Sequence, residues 1–422
     1  MPQKKRYVLV GTGGRGMYMF AKPLLETFTE HCELVGFLDR NPLRMQAVNS
    51  ILGSNVPCYT DFDTLLKEAK PDAVIVASAD ATHAEYIIRA LNAGKRVISE
   101  KPVCTDAKQA KEILAAAQAA RKNGAECWVT HNMRYGADMT VCKQIIASGG
   151  IGDLKAINFH ENLDRKHGAD YFRRWHRLKK NSGGLLVQKA SHHFDALNWL
   201  VGSNPKTVSA QGGTYFYGKN GKFRGTRCST CPHTKECDFY ADLWANERNR
   251  KLYQEPEKAD GYMRDACVFA EEIDMEDQMG VLYSYENNVQ VIYSLTAFAS
   301  YEGWLIQFEG TKGRLELKAV HNTNWATGSV AVHGMEKILG ETLVQFTPGK
   351  GIENIPLTRG EGTHGGSDAQ LQHDFFGRPW DAAPTARMAP VAQAIQAILI
   401  GHAANVSMAK GGIPVDAQAL LK

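Results

Sequence analysis

Residues 7–16 read YVLVGTGGRG, a short apolar run that gives way to glycines at positions 11, 13 and 16. The run predicts a strand, and the stretch after Gly16 predicts a helix to about Glu30. A G-x-G-x-x-G sequence between a strand and a helix is the signature of a dinucleotide-binding turn. Gly11 makes the tight turn, Gly13 lets backbone approach a pyrophosphate, and Gly16 lets helix and strand pack closely. Gly14 and Arg15 lie between them, where unpaired N–H groups at a helix start face phosphate oxygens. The next strand, CELVGFLD, ends in Asp39, at the spacing expected of a carboxylate that accepts the ribose hydroxyls. Such a carboxylate repels a 2′-phosphate and favours NAD. Arg40 beside it, with Arg44 further on, supplies counter-charge and keeps NADP as the alternative.

Outward from this turn, the first 130 residues alternate strand and helix. Pro42 opens a helix to Ile51, VPCY is a short strand, and Asp61 caps the helix FDTLLKEA. AVIVAS, ending in Ser78, is the continuous apolar run of a strand covered on both faces. His83 opens a helix that stops at Gly94, and RVISE follows. Thr105 is the expected cap of an alanine-rich helix to Lys122, and ECWVTH closes the series. This α/β alternation predicts a Rossmann-type, doubly wound parallel sheet over 1–130. From 131 to 422 the texture changes. KAINFHEN, VLYSYENNVQVIYSLTAF and WLIQFEG alternate apolar and polar residues, as antiparallel strands with one wet face do. The remainder is therefore an α+β domain, with AQAIQAILIGHAANVSMA its clearest helix. Residues 217–267 are polar, cysteine-bearing and aperiodic, and read as an insertion.

The chain has 422 residues, 44% hydrophobic and 22% charged, enough to bury full cores without staples. A net charge of +4 is too mild for a nucleic-acid partner. No apolar run approaches the ~20 residues of a membrane helix, and no secretory pattern precedes the first strand, so no membrane partner is expected. Cys32, Cys58, Cys104, Cys127 and Cys142 sit in apolar or helical patterns and read as buried thiols. The expected compartment is a reducing cytoplasm.

A second motif, Val97-Ile-Ser-Glu100-Lys101-Pro102, follows a strand, with Ala93-Gly94-Lys95 before it and His83 opening the preceding helix. Further on come Asn132-Met-Arg134-Tyr135, Ser148-Gly-Gly-Ile-Gly152, Ser182-Gly-Gly through His192-His193-Phe-Asp195, and Glu309-Gly-Thr-Lys-Gly313. In this combination the chain resembles the Gfo/Idh/MocA family (glucose–fructose oxidoreductase, inositol dehydrogenase and relatives) over nearly its whole length. The resemblance implies a large open, mainly antiparallel sheet in the second domain, on which a homodimer or homotetramer is built. It implies an active site at the C-terminal ends of the Rossmann strands. Lys101 is then the active-site lysine and Glu100 the residue that orients it. Ser78, His83, Glu100 and Lys101 fall among the cofactor contacts, and Arg134 and Tyr135 among the substrate contacts. Burial and the positive nicotinamide would lower the Lys101 pKa enough for proton exchange with a substrate hydroxyl. In many family members the peptide before the proline is cis.

The family's aspartate, followed four residues later by histidine, falls here on Gln188 and His192. Gln188 cannot act as a base, so it reads as a substrate contact and His192 as the acid/base partner of Lys101. Lys189 is a second candidate for catalysis or substrate contact, and His193 a supporting residue behind them. The stretch GADYFRRWHRLKK is aromatic and cationic, as surfaces that grip sugars are; Tyr171, Arg173 and His176 are expected at the substrate pocket. His160, His167, His176, His192 and His193 fall close together but without ligand spacing, and no active-site metal is expected. Cys228-x2-Cys231-x5-Cys237, with Cys267 or less favourably His233 as a fourth ligand, predicts a structural zinc; disulfides and plain thiols are the alternatives.

The expected function is NAD(P)-dependent hydride transfer to or from a hydroxyl of a sugar, glycoside or polyol. The alternative is a redox-neutral glycosidase that oxidises C3, eliminates the C1 substituent, adds water and returns the hydride to carbon. A non-catalytic sugar-sensing regulator is a third reading, which intact Lys101 and His192 disfavour.

Overall fold

The computed structural model describes residues 4–321, 338–358 and 360–422. They form two compact units, each assembled from three chain segments. The first unit comprises 1–135, 243–264 and 361–398; the second comprises 136–242, 265–360 and 399–422.

In the first unit, β1 (Lys5–Val10), β2 (Cys32–Leu38), β3 (Cys58–Tyr59), β4 (Ala73–Val76), β5 (Arg96–Ser99) and β6 (Cys127–Val129) form a parallel sheet. Their spatial order is β3-β2-β1-β4-β5-β6, and Ala389–Pro390 adds an antiparallel edge beside β6. The order reverses between β1 and β4, so the crevice outside their C-terminal ends is where such a sheet binds its ligand. β4 is buried at every position, as its uninterrupted AVIV run requires of a strand covered on both faces. The first helix is shorter than expected. It is π-helical over Gly16–Ala21 and α-helical over Lys22–Glu26, and does not reach Glu30. The alanine-rich helix Ala107–Ala120 is capped by Asp106, whose carboxylate accepts the Gln109 N–H at 2.9 Å. Thr105 instead gives its hydroxyl to the Gln109 side chain. Cys32, Cys104, Cys127 and Cys142 are buried, but Cys58 is exposed because β3 is the short sheet edge.

The second unit is built on β7 (Leu154–Asp164), β8 (Pro205–Gly213), β9 (Gln278–Tyr285), β10 (Gln290–Ala299), β11 (Glu302–Gly310), β12 (Arg314–His321), β13 (Gly340–Thr347) and β14 (Gly351–Ile355). Their order is β14-β13-β12-β11-β7-β10-β9-β8, with Val415–Asp416 at the β8 edge. All pairs among them are antiparallel except β7 with β10. Burial alternates strictly along β9 and most of β10, as the period-two pattern predicts. The 19-residue helix Val391–Ala409 is apolar enough to cross a membrane, but most of it is buried within the protein, as in a core helix.

Candidate active site

The glycine turn lies at the strand-order reversal of the first unit. Gly11 has φ +92°, and a Cβ there would stand 2.5 Å from Ala77 O; a Cβ on Gly16 would stand 2.1 Å from Gly11 O. Only glycine fits at either position. Asp39, at the end of β2, is held from two sides. The Thr12 N–H and hydroxyl both donate to its Oδ2 at 2.9 Å, and the Asn41 N–H donates to its Oδ1 at 2.9 Å. Arg44 is buried between two acids, 3.4 Å from Asp39 Oδ1 and 2.8 Å from Asp260 Oδ2. Arg40 is 75% exposed and stands 3.8 Å from Asp260. Burial pushes the Asp260 carboxyl up, but the Asn41 hydrogen bond and the Arg44 charge outweigh it and hold the group below its ordinary range.

Asp260 belongs to a strap, 243–264, that falls within the 217–267 stretch of sequence but is part of the first unit. The Gly14 N–H donates to the Tyr253 hydroxyl at 2.9 Å, and the Asn41 side chain donates to Pro256 O at 2.8 Å. The strap therefore lies directly on the dinucleotide turn.

Arg15 does not present a bare cation to a phosphate. Its Nε donates to Glu100 Oε1 at 2.8 Å, and its Nη1 reaches Asp368 Oδ2 at 3.5 Å. Asp368 also accepts from Asn132 at 2.9 Å and lies 2.7 Å from His364 Nδ1. Burial raises its pKa, yet the His364 bond and the Arg15 charge outweigh that and hold it well below the usual carboxylate range. Glu100 Oε2 accepts the Lys101 N–H at 3.2 Å, so it braces the lysine's backbone. The Lys101–Pro102 peptide is cis. His83 is buried, with Nδ1 2.7 Å from Pro102 O and Nε2 3.1 Å from Ser78 O. It ties the end of β4 to the Glu-Lys-Pro turn. Burial lowers its pKa against the pull of those two carbonyls. The Ser78 hydroxyl is 2.7 Å from that of Thr82. Arg134 and Tyr135 are buried in the same unit. Arg134 donates to Gln393 at 2.9 Å, and Arg387 lies 4.6 Å over the Tyr135 ring.

In the second unit, Gln188 ends the short helix Leu185–Gln188 and is buried, while His192 is half-buried at the start of Ser191–Val201. Lys189 Nζ lies 3.3 Å from Glu161 Oε1, and His193 Nε2 lies 3.5 Å from Glu161 Oε2. His193 Nδ1 is 2.8 Å from the Tyr293 hydroxyl, a supporting position. Burial pushes the Glu161 carboxyl up to about 8, although Lys189 pulls it down. Burial would release the Lys189 proton, but its acidic neighbours, Glu161, Tyr171 and the Glu302 carboxylate, raise its pKa above the ordinary lysine range. Lys189 is thus a fixed cation and not a base at neutral pH. Glu302 is held down to about 2: burial raises it, and His167, 2.8 Å away, with the Lys189 cation, overcomes that. Tyr171 stacks on His167 and meets the His176 edge, and burial pushes its hydroxyl up to about 12. His176 is buried against Trp175.

Sequence reasoning missed Glu161. Its signal was an acid on the inward face of an alternating strand, in line with buried Ile157, Phe159 and Leu163. Arg173 belongs elsewhere than expected. Buried, it donates to Cys228 Sγ at 3.3 Å and to the Phe239 carbonyl. Cys228, Cys231, Cys237 and Cys267 wall one cavity of about 20 Å³ beside it, none in a disulfide. Among the described residues no three Cys, His, Asp or Glu side chains stand together as a group that could hold a metal ion.

A doubly wound unit with a dinucleotide turn, an acid ending β2 and a Glu-Lys-Pro turn at the same crevice defines a nicotinamide-dependent oxidoreductase. Residues 5–131 match the NAD-binding Rossmann fold of an oxidoreductase family, and residues 143–416 match that family's C-terminal alpha/beta domain. The chain belongs to the Gfo/Idh/MocA family. It is 33% identical over 391 residues, 88% of each chain, to YteT of Bacillus subtilis (strain 168), which bears the name of an oxidoreductase. It is 27% identical over 205 residues, 49% of this chain and 57% of the relative, to inositol 2-dehydrogenase of Rhizobium meliloti (strain 1021). The WlbA dehydrogenase of Bordetella pertussis, solved with NADH and UDP-GlcNAcA, matches 98% of this chain and 99% of its own, with a TM-score of 0.64 at 18% identity. At that identity the likeness speaks for the fold.

Proposed function

We propose that the protein is an NAD-dependent dehydrogenase acting on a hydroxyl of a sugar, glycoside or polyol. The observation that carries the reading is the Arg15–Glu100 ion pair at 2.8 Å, which fastens the Lys101 turn to the dinucleotide turn. It keeps the lysine at the crevice where the sheet binds its cofactor. NAD, when bound, supplies the hydride acceptor. Asp39 takes the ribose hydroxyls, the glycine turn receives the pyrophosphate, and Lys101 exchanges the substrate's hydroxyl proton. In the second unit, His192 is the proposed acid/base residue. Lys189, held protonated near the Glu302 carboxylate, offers a positive charge to substrate oxygens.

The proposal includes a cytoplasmic homodimer or homotetramer on the open sheet. Leu282 and Ile292 support it: they pair directly across β9 and β10, and each is more than half exposed. Light scattering tests the assembly. For the chemistry, a sugar and polyol panel is followed by reduced-nicotinamide absorbance, with Lys101→Ala as control. Turnover that vanishes in the variant while NAD still binds is expected; undiminished turnover in the variant would overturn the role of Lys101.

The redox-neutral glycosidase reading has one observation in its favour. A strap resting on the Gly14 N–H through Tyr253 is suited to retaining a cofactor over many turnovers. Denaturing the purified protein and assaying released dinucleotide separates the two: stoichiometric NAD favours the glycosidase, and an empty, NAD-binding protein favours the dehydrogenase.

A further inference from the structure

The cysteine cavity lies outside the chemistry described above, within the second unit. Two strands of the insertion meet there in an antiparallel bridge, Arg227 with Ala266. The Cys228 N–H donates to Asp265 O at 2.8 Å, and the Cys267 N–H donates to Thr226 O at 3.0 Å. This bridge brings Cys228 and Cys267 together from positions far apart in the chain. The turn of Cys231 and the loop of Cys237 close the other walls. At about 20 Å³ the cavity has room for one atom-sized guest.

Three features show what the guest must be. First, donors are aimed at the sulfurs. The Phe269 N–H reaches Cys267 Sγ at 3.4 Å, the Phe239 N–H bonds Cys237, and the Ala241 N–H bonds Cys228. A neutral thiol is a poor acceptor, whereas a metal-bound thiolate is normally steadied by such outer donors. Second, Arg173 is 6% exposed, and among the described residues no carboxylate pairs with it. A guanidinium sunk this far needs an anion, and the described ionisable groups facing it are the Cys228 and Cys237 sulfurs and the Tyr217 hydroxyl. Third, none of the four cysteines is in a disulfide, and His233 is engaged with Phe223 and Glu236.

We propose that Cys228, Cys231, Cys237 and Cys267 bind one structural zinc ion as four thiolates. Zinc with four thiolates carries a net charge of minus two, and Arg173 answers part of it. The four cysteines line one cavity, and a tetrahedral site with ~2.3 Å bonds requires their side chains to turn inward around the ion. Each ligand gives up its thiol proton to solvent on binding, and no electron is transferred.

The test begins with full-length protein purified without chelator, its metals measured by elemental mass spectrometry. About one zinc per chain is expected, released when a mercurial blocks the thiols. Growth with cobalt in place of zinc should give the sulfur-to-cobalt charge-transfer absorption of a tetrathiolate site. Cys231→Ser and Cys237→Ser should each abolish stoichiometric metal. The cobalt spectrum of the unmutated protein keeps the test decisive if those variants fail to fold. Metal-free protein whose nine cysteines all titrate as free thiols, iron in place of zinc, or cobalt without a thiolate band would each overturn the proposal.

Discussion

Replacing Asp39 by alanine should change which dinucleotide the protein prefers. A 2′-phosphate on the adenosine ribose would meet the Asp39 carboxylate as a like charge, and about 4 Å is the separation of two such groups in contact. At an effective dielectric near 20, repulsion there is about 4 kcal/mol per unit charge. Arg44 cannot cancel it, because its guanidinium is already shared between Asp39 at 3.4 Å and Asp260 at 2.8 Å. Arg40, 75% exposed, offers only a screened charge. Allowing for that, the unmutated protein should bind NAD about 100- to 1,000-fold more tightly than NADP, a difference of roughly 3–4 kcal/mol. Asp39→Ala removes the repulsion and frees Arg44 toward the phosphate, so the ratio should fall at least tenfold. NAD itself should bind more weakly, since each charge-assisted hydrogen bond to a ribose hydroxyl is worth about 1.5–3 kcal/mol. The assay is calorimetric titration of both dinucleotides into both proteins. Thermal melts run alongside, because the Thr12 and Asn41 amides also lose their acceptor. Equal affinities in the unmutated protein, or an unchanged ratio in the variant, would refute the reasoning.

Tyr253→Phe strips the acceptor from the Gly14 N–H and should speed NAD release several-fold, about 1 kcal/mol, with little change in melting; stopped-flow displacement measures it, and an unchanged rate removes the strap from cofactor retention. Arg15→Met leaves Glu100 and Asp368 without their cation; because Arg15 is about a third exposed, the loss should be near 2 kcal/mol rather than the 3–5 of a fully buried pair, read by urea unfolding. Glu161 keeps its proton to about pH 8 when folded and to about 4.5 when unfolded. The native state therefore binds the extra proton between those values, and the group's contribution to stability falls as pH rises through that window. Glu161→Gln should flatten this part of the stability–pH curve, and parallel curves for the two proteins would show that Glu161 is not the titrating group.

The parts of the fold legible in sequence are those fixed by neighbouring residues. The turn at Gly11–Gly16, Asp39 at the end of β2 and the buried run of β4 each follow from a pattern within a dozen residues. Asp106 displaced Thr105 as helix cap because both residues can cap and only the backbone path decides between them. Arg173 read as a sugar-gripping residue because aromatic and cationic composition is the same whether the guanidinium faces a substrate or a cysteine cavity. The strap was illegible for a different reason: Gly14 and Tyr253 meet across most of the first unit's sequence, and no local periodicity encodes such a pairing. Glu161 sits between these cases, readable as an acid on an inward face but without a partner until Lys189 was placed beside it.

The strap also has a topological consequence. It leaves the chain after Cys237 and returns before Cys267, so an ion gripping both residues would turn the intervening chain into a closed loop of about 30 residues. By the chain-entropy argument used for cross-links, closing such a loop lowers the disorder of the unfolded chain by an amount worth about 3–4 kcal/mol. The tether would act on the unfolded chain, and its loss would show as lower stability of the metal-free protein.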